Sequence, residues 1–480
     1  MKTFVVAAGL AAASISPAFA QDAKRIEALE ARIKVLEASA AQMQKQAAEA
    51  AEALKTAQAE IDALKHAAPA EATAAAPEAA PEAAPAEAPA TATAEAAPEA
   101  QAEAPAEGVA SAEDATAPAS ADATSPNAFN PAISIILNGQ YAHHSLNPDD
   151  YVRAGFPLAG EAGPGPQGLS LGESEVAFSS NIDDKFYGQL TLTVHNEDGE
   201  DHVGVEEAYI DTTSMPDGFS LRAGRFFSNV GYLNSHHPHT DKFADRPLPY
   251  QAFLGNQYGD DGVQLRWVAP TDLFVELGGE VLRGENFPSG GAGHAGTGVK
   301  TAFAHLGGDV GIENSWLAGV SVLKSQTDGA EDGFRGDETL WIADATWKWA
   351  PGGNTKDGGI QLRSEFFWED RDGMYVDALD PEFNQLWSGQ RSGAYVEGVW
   401  RINRLWETGY RYDRLWGDNE GPYASSFDPY RHTLMAAWRN SEFSMIRLQV
   451  SHDKPNGTDT DNTVTLQYQT SLGAHGAHKF

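Results

Sequence analysis

The sequence predicts an all-β transmembrane barrel of about 16 antiparallel strands, preceded by a periplasmic α-helical coiled coil and a disordered Ala/Pro/Glu linker. Three observations favour the barrel. Residues 128–480 alternate between apolar and polar side chains in short runs, the number of runs is even, and the connectors alternate between short and long. Bacterial single-chain outer-membrane barrels share all three properties.

The first twenty residues have the features of a secretory signal. Lys2 precedes an apolar run from Phe4, and the small residues Ala18 and Ala20 flank Phe19. This pattern predicts cleavage after Ala20 and export of the mature chain. The sequence contains no cysteine, which excludes thiol-ligated metal sites.

Residues 21–68 carry a seven-residue repeat of apolar positions, which predicts a coiled coil. A solitary amphipathic helix is the alternative. Isoleucine at the first position of the seven-residue repeat and leucine at the fourth favour a coiled coil of two helices over one of three. The seam comprises Ile26, Leu29, Ile33, Leu36, Ala40, Met43, Ala47, Ala50, Leu54, Ala57, Ile61 and Leu64.

Residues 69–127 are rich in Ala, Pro, Glu and Thr and hold eleven carboxylates but no lysine or arginine. Such a segment has too little apolar surface to fold, and its charge and prolines keep it extended. We therefore expect a disordered acidic linker.

The barrel prediction for 128–480 depends on strands with one apolar and one polar face. In GIQLRSEFFWED, the apolar residues Ile360, Leu362, Phe366 and Trp368 alternate with mainly polar neighbours. A soluble β-sandwich or propeller is the alternative, but the tryptophans and tyrosines gather at strand ends, as in the aromatic girdles of membrane barrels.

Sixteen such runs are predicted, with turns at NIDD, SMPDG, PT, INR and NS and loops at 143–170, 227–261, 283–298 and 370–391. The alternation of the last run continues to the terminal aromatic residue, Phe480. Such a C-terminus resembles the signal that the barrel assembly machinery recognises in outer-membrane proteins. The runs are 132–142, 171–180, 185–195, 203–213, 219–226, 262–269, 272–282, 299–307, 316–324, 339–350, 358–369, 392–401, 405–416, 430–439, 442–452 and 464–480.

The barrel region resembles phosphate-selective porin-like outer-membrane proteins, including relatives labelled zinc-regulated or TonB-dependent outer-membrane receptors. The resemblance lies in EEAYIDTTSMPDGFSLRAGRFFSNVGYLN, RPLPYQAFLGNQYGDDGVQLRW and SLGAHGAHKF. It implies a homotrimer of sixteen-strand barrels, sometimes with an N-terminal coiled coil. A trimer conflicts with the coiled coil of two helices that the apolar repeat of residues 21–68 favours. A TonB-dependent transporter has a globular plug and twenty-two strands, which this chain lacks in sequence.

Charged residues of both signs fall on the inward parity of the strands. They either pair with one another or line an open pore. The barrel region carries 25 Lys and Arg against 49 Asp and Glu, so the sequence favours cations and argues against phosphate selectivity. The predicted pore-lining residues are Arg222, Arg266, Glu276, Glu280, Arg363, Glu365, Glu397, Arg411, Asp413 and Arg447.

The loop 227–261 is the longest strand-free segment in the barrel region, and we predict that it forms a constriction inside the barrel. The candidate residues of this constriction loop are Lys242, Asp245 and Arg246. The loop also contains NSHHPHTD. Imidazole and carboxylate groups are ligands for zinc and similar ions. The candidate ligands of a transient site are His236, His237, His239 and Asp241, although such residues are also common in loops that bind nothing.

These features predict a passive outer-membrane channel for small hydrophilic solutes or ions. One alternative is a zinc receptor or scavenger that uses its histidine loops, and another is an envelope tether that reaches peptidoglycan through its N-terminal region. No catalytic motif is present, so neither an enzyme nor a resident cofactor is expected. The expected partners are outer-membrane lipid, the assembly machinery and further copies of the chain, but no nucleic acid.

Overall fold

The computed structural model describes Lys55 and residues 131–197, 200–290, 296–328, 332–376, 384–421 and 423–473. The predicted signal peptide, coiled coil and linker therefore lie outside the described residues, apart from Lys55. Phe480 and the end of the last predicted strand lie outside them too. These predictions are not tested by the structure.

The described residues form seventeen strands and one short α-helix, α1, at Leu248–Phe253. No helix among them is long and apolar enough to cross a membrane. The strands are β1 Ala132–His144, β2 Gly168–Leu171, β3 Ser174–Asn181, β4 Phe186–Glu197, β5 Glu200–Thr212, β6 Phe219–Phe227, β7 Gly259–Val268, β8 Phe274–Leu282, β9 Val299–Val310, β10 Asn314–Asp328, β11 Phe334–Trp349, β12 Gly359–Tyr375, β13 Gln385–Arg401, β14 Trp406–Trp416, β15 Tyr430–Ser441, β16 Ser444–Lys454 and β17 Asp461–Gly473.

The strands close into a single antiparallel barrel, because β1 pairs with β17 on one side and with β2 and β3 on the other. β2 and β3 are two pieces of one barrel strand. Ile136 lies opposite Glu175 and Gly139 lies opposite Leu171, so one extra residue is inserted between the two pieces. The described residues thus make sixteen barrel strands, and the sequence prediction of that number is confirmed.

The barrel is apolar outside and polar inside. On β12, Leu362, Phe366 and Trp368 are each 44–46% exposed on the outer face, whereas Arg363 and Glu365 are buried on the inner face. A soluble protein hides its large apolar side chains from water, so an outer face of this kind requires lipid around it. The predicted period-two pattern of this strand is confirmed.

The connectors at one end of the barrel are short and those at the other end are mostly long, as predicted. Three predicted loops are nevertheless shorter than expected, because strands extend into them. The predicted loop 370–391 shrinks to 376–384, since β12 continues to Tyr375 and β13 begins at Gln385. Similarly, 143–170 becomes 145–167 and 227–261 becomes 228–258.

The extensions of β12 and β13 have a physical reason. Beyond Trp368, the outward positions Asp370 and Asp372 are polar, while the inward Glu369 and Arg371 remain buried. A strand that continues past the lipid needs no apolar outer face. Both faces are then polar, and the alternation in hydropathy that marks a transmembrane strand disappears from the sequence.

Candidate functional site inside the barrel

Residues 228–258, which we call the inner loop, lie inside the barrel. The inner loop leaves β6 and returns at β7, and its groups bond to inward-facing side chains of strands around the barrel. The bonding partners include Glu175 on β3, Ser321 on β10, Glu365 on β12 and Gln449 on β16. The inner loop therefore crosses the lumen and is held on several sides.

The first anchor of the inner loop is the buried carboxylate of Glu365. It accepts hydrogen bonds from the backbone N–H of Tyr232 at 2.9 Å, from the Tyr250 hydroxyl at 2.9 Å and from the Tyr395 hydroxyl at 2.5 Å. Gly231 makes this approach feasible. Its φ is +66°, and a Cβ there would lie 2.6 Å from Glu365 Oε2 and 2.7 Å from the Tyr250 hydroxyl.

The second anchor is Asp245. Its carboxylate lies 3.0 Å from Arg411 Nη2 and 2.8 Å from Arg431 Nη1, and it accepts a 2.7 Å hydrogen bond from Gln449 Nε2. Burial alone would raise the pKa of Asp245, but Arg431 and Arg411 outweigh it and hold the pKa below its ordinary value. Asp245 therefore stays charged and ties the inner loop to β14, β15 and β16.

Two further charged residues stabilise the inner loop. Arg246 Nε lies 2.9 Å from Asp241 Oδ2, and Arg246 Nη1 donates to the carbonyl oxygen of Leu233 at 2.6 Å, so this pair braces the loop internally. Lys242 Nζ lies 3.5 Å from Glu407 Oε2 on β14. Burial lowers the pKa of Lys242 to about 8 despite that carboxylate.

The helix α1 supplies the apolar part of the anchorage. It begins with Pro247 before Leu248 and has Pro249 inside its first turn, where a missing N–H costs nothing. Leu248, Tyr250 and Phe253 of the helix are fully buried. The ring of Phe253 stacks on Phe367 of β12, with centroids 5.8 Å apart and an interplanar angle of 12°. This packing fixes one side of the inner loop against β12, β13 and β14.

A polar cavity of about 110 Å³ remains between the inner loop and the opposite wall. Its charged groups are Asp245, Asp453 and Asp461 against a single arginine, Arg431, so acidic groups predominate. The Tyr151 hydroxyl donates to Asp453 at 2.9 Å. The full lining is Gln140, Ala142, His144, Tyr151, Gly163, Pro164, Gly165, Ala244, Asp245, Gln251, Arg431, Gln449, Ser451, Asp453, Asp461, Thr463 and Thr465.

The ten wall residues predicted from parity are largely engaged in contacts on the inner face. Arg363 Nη1 lies 3.2 Å from Glu397 Oε1, Arg411 Nε lies 3.1 Å from Asp413 Oδ1, and Arg266 Nε lies 3.5 Å from Glu276 Oε1. Glu280 accepts from Gln264 and Thr301, Arg447 donates to Gln467 and to the Asp241 carbonyl oxygen, and Arg222 pairs with Asp211. Pairing dominates, and none of the ten lines the cavity.

Of the acidic members of the cavity wall, Asp245 was singled out from the sequence, whereas Asp453 and Asp461 were not. Asp453 and Ser451 share the inward parity of the predicted residue Arg447 on β16. That parity marks them as inward-facing. The sequence gives no sign that helix α1 packs against β12–β14 while a cavity remains between the inner loop and β15–β17.

A second group of polar residues gathers where the inner loop meets β3 and β5. His239 Nδ1 lies 2.7 Å from Glu175 Oε1, and His237 Nδ1 lies 3.2 Å from Glu175 Oε2 and 3.3 Å from Glu206 Oε2. His237 Nε2 lies 3.0 Å from Glu207 Oε2. Burial would lower the pKa of His237, but Glu175 and Glu206 raise it well above its ordinary value.

Of the four metal ligands predicted from sequence, the structure brings together His237 and His239. His236 lies apart: its ring stacks on Tyr232, and its Nδ1 lies 2.7 Å from the Tyr232 carbonyl oxygen. Asp241 pairs with Arg246. The carboxylates that do face the two histidines come from β3 and β5 and were missed, because they are distant in sequence.

A β-bulge explains why β5 contributes two adjacent carboxylates. Thr191 of β4 lies opposite Glu207, while the next residue, Leu192, lies opposite Val205. Glu206 is therefore the extra residue, and both glutamates turn inward instead of alternating. The signal in the sequence is the Glu-Glu pair itself, which breaks the period-two pattern of the strand.

No protein-family model matches the chain. An uncharacterized protein of Aquifex aeolicus (strain VF5) is 28% identical over 398 residues, which cover 74% of this chain and 81% of that protein.

Solved structures similar to this chain include the outer membrane channel DcaP of Acinetobacter baumannii (14% identity, TM-score 0.48, 71% of this chain and 97% of that one). The anion-selective porin from Comamonas acidovorans has 10% identity and a TM-score of 0.46, covering 71% and 99%. Pseudomonas putida OprB has 12% identity and a TM-score of 0.45, covering 72% and 94%. The family resemblance read from the sequence, with its phosphate-selective and TonB-dependent labels, stays a prediction.

Proposed function

We propose that this protein is an outer-membrane channel for the passive diffusion of small hydrophilic solutes or ions. The observation that carries the proposal is the closed sixteen-strand barrel with an apolar outer face and a polar interior crossed by the inner loop. A barrel of this size encloses more space than its own wall side chains fill. The inner loop takes up part of that space and leaves the polar cavity as the route for solutes.

The charge of the cavity wall supports a preference for cations. Asp245, Asp453 and Asp461 face the cavity with Arg431 as the one basic side chain among its lining residues, apart from His144. Asp245 and Arg431 are paired with one another, so the remaining acidic charge of the cavity wall comes from Asp453 and Asp461. Rings of acidic side chains are the usual basis of cation selectivity in pores.

Planar-bilayer recording of the full-length protein tests the proposal. We expect stepwise conductance increments in KCl and, under a KCl gradient, a reversal potential of the sign given by excess potassium permeability. Folded, detergent-soluble protein that inserts but produces no steps would refute the channel. Steps with a reversal potential of the opposite sign would refute the cation preference alone.

The homotrimer implied by the resemblance and the contribution of Phe480 to assembly remain predictions, which cross-linking and deletion of Phe480 would test. The tether alternative depends on residues 21–127. If it is correct, deletion of these residues weakens the cell envelope and leaves conductance unchanged.

A further inference from the structure

The group of residues at the junction of the inner loop with β3 and β5 has the composition of a metal site. Two imidazoles, from His237 and His239, face two carboxylates, from Glu175 and Glu206. The ligand atoms of Glu175, His237 and His239 all lie within 4.8 Å of one another. Nitrogen and oxygen donors in this proportion suit zinc and related divalent ions.

The backbone explains how two nearby histidines reach the same place. A 3-10 turn at Pro238–Thr240 separates them, and His237 precedes it in an extended conformation. A residue before proline is restricted to that region of the backbone map. The two rings lie side by side as a result, with centroids 5.6 Å apart and an interplanar angle of 30°.

Two of the distances within the group approach the spacing of ligands around a tetrahedral ion. Zinc bonds to nitrogen and oxygen are about 2.0–2.2 Å long, which places neighbouring ligand atoms about 3.3–3.6 Å apart. His237 Nδ1 lies 3.2 Å from Glu175 Oε2 and 3.3 Å from Glu206 Oε2. The His239 to Glu175 distance of 2.7 Å needs to lengthen by roughly half an ångström.

Two atoms of the group meet in an ion pair that lacks hydrogen-bond geometry. His237 Nδ1 and Glu206 Oε2 are both buried and lie 3.3 Å apart, but their contact is not aligned as a hydrogen bond. The Glu206 side chain is 8% exposed, and it points into the group. Buried polar atoms that converge without hydrogen bonds are expected where an ion binds.

The other nitrogen of His237 is also placed as in a metal site. Its Nε2 lies 3.0 Å from Glu207 Oε2, and that carboxylate accepts the backbone N–H of Phe227 at 3.2 Å. Histidines that bind metal almost always donate their remaining ring N–H to a carboxylate or carbonyl oxygen. When an ion replaces the proton on Nδ1, the Glu207 contact holds the remaining ring proton of His237 on Nε2.

We propose that Glu175, Glu206, His237 and His239 bind one divalent ion of the zinc class. The ligands come from β3, β5 and the inner loop, so the ion clamps the inner loop to the barrel wall. It also supplies the positive charge that the surrounding carboxylates require. The proposal is independent of the channel function, because an ion can be bound whether or not the barrel conducts.

Titration calorimetry with zinc chloride tests the proposal on full-length protein in detergent, purified without a histidine tag and stripped with a chelator. We expect one ion per chain. His237→Ala and Glu206→Gln should weaken binding at least about tenfold, since even the loss of an outer-shell partner costs that much. His236→Ala is the matched control, because the ring of His236 stacks on Tyr232, and its affinity should stay within about twofold of the unchanged protein.

Cobalt chloride gives a second readout, because the visible spectrum of Co²⁺ reports a four-coordinate site. Each variant is checked for heat-modifiable gel mobility, and Glu206→Gln, which keeps the size of the side chain, serves if the histidine variant does not fold. The absence of saturable zinc binding by the folded protein would overturn the proposal and leave histidine–carboxylate ion pairs only. Equal losses in His236→Ala and His237→Ala would overturn it too, because binding would then lie on other histidines.

Discussion

The Tyr250 hydroxyl holds the inner loop at its most buried anchor, so Tyr250→Phe is the sharpest test of how the loop is secured. That hydroxyl donates to Glu365 at 2.9 Å and accepts the N–H of Leu233 at 2.9 Å, and Tyr250 is fully buried. The substitution removes both bonds and retains the ring that packs edge-on against Phe367. The inner loop therefore loses polar anchorage without losing apolar contact.

The magnitude follows from the two bonds. A hydrogen bond to a charged group contributes about 1.5–3 kcal/mol and a neutral one about 0.5–1.5 kcal/mol, so the substitution costs about 2–4.5 kcal/mol. Each 1.4 kcal/mol changes an equilibrium about tenfold, so the displaced population of the inner loop should rise about 30- to 1,600-fold. Glu365 keeps its bonds from Tyr232 and Tyr395, which limits the effect to the loop.

Single-channel recording measures this population as brief transitions between conductance levels. We expect the transitions to become far more frequent in Tyr250→Phe. Tyr410→Phe is the control, because it removes a hydroxyl that lies 2.7 Å from His432 on the exposed outer surface. If Tyr250→Phe and Tyr410→Phe both record like the unchanged protein, the inner loop does not depend on this anchor and our reasoning is wrong.

Three further predictions follow from the same contacts. Asp453→Asn should move the reversal potential in a KCl gradient towards zero, and an unchanged value would mean that this carboxylate does not act on ions. Because the pKa of Lys242 falls from its usual 10.5 to about 8, the unfolded chain binds more protons between these values. The free energy of unfolding in detergent should therefore contain a term that rises with pH over that window and vanishes in Lys242→Met, and equal slopes for the two proteins would contradict it. Gly231→Ala should destabilise the folded barrel in denaturant titrations by about 1–3 kcal/mol through backbone strain and the crowding of Glu365, and an unchanged midpoint would contradict that placement.

The barrel could be predicted from sequence because its signals are local. The alternation of apolar and polar residues decides which side chains face lipid, and it can be recognised within the single segment GIQLRSEFFWED. The alternation disappears where both the inner and the outer face of a strand are polar, as at Asp370 and Asp372 of β12. The strand predicted from sequence therefore ends before the observed one. The same limit explains why the loop after β12 is shorter than predicted.

The interior could be predicted only in part. The length of the strand-free segment indicates an inner loop, and the parity of Arg411 and Glu365 marks them as inward-facing. Which residues pair across the lumen depends on contacts between distant strands. Glu206 is inward only because of a bulge, and Glu175 lies more than sixty positions from His237, so neither could be joined to the histidines from sequence.

Conduction through the polar cavity can be tested by the accessibility of introduced cysteines. The chain contains no cysteine, so a single one can be introduced without background. Ser451 lines the cavity, whereas its neighbour Val450 is 47% exposed on the outer face of the same strand. We predict that a water-soluble cationic thiol reagent reduces the current through Ser451→Cys channels irreversibly and leaves Val450→Cys channels unchanged. Current that the reagent does not alter in Ser451→Cys, or alters equally in both variants, would contradict conduction through this cavity.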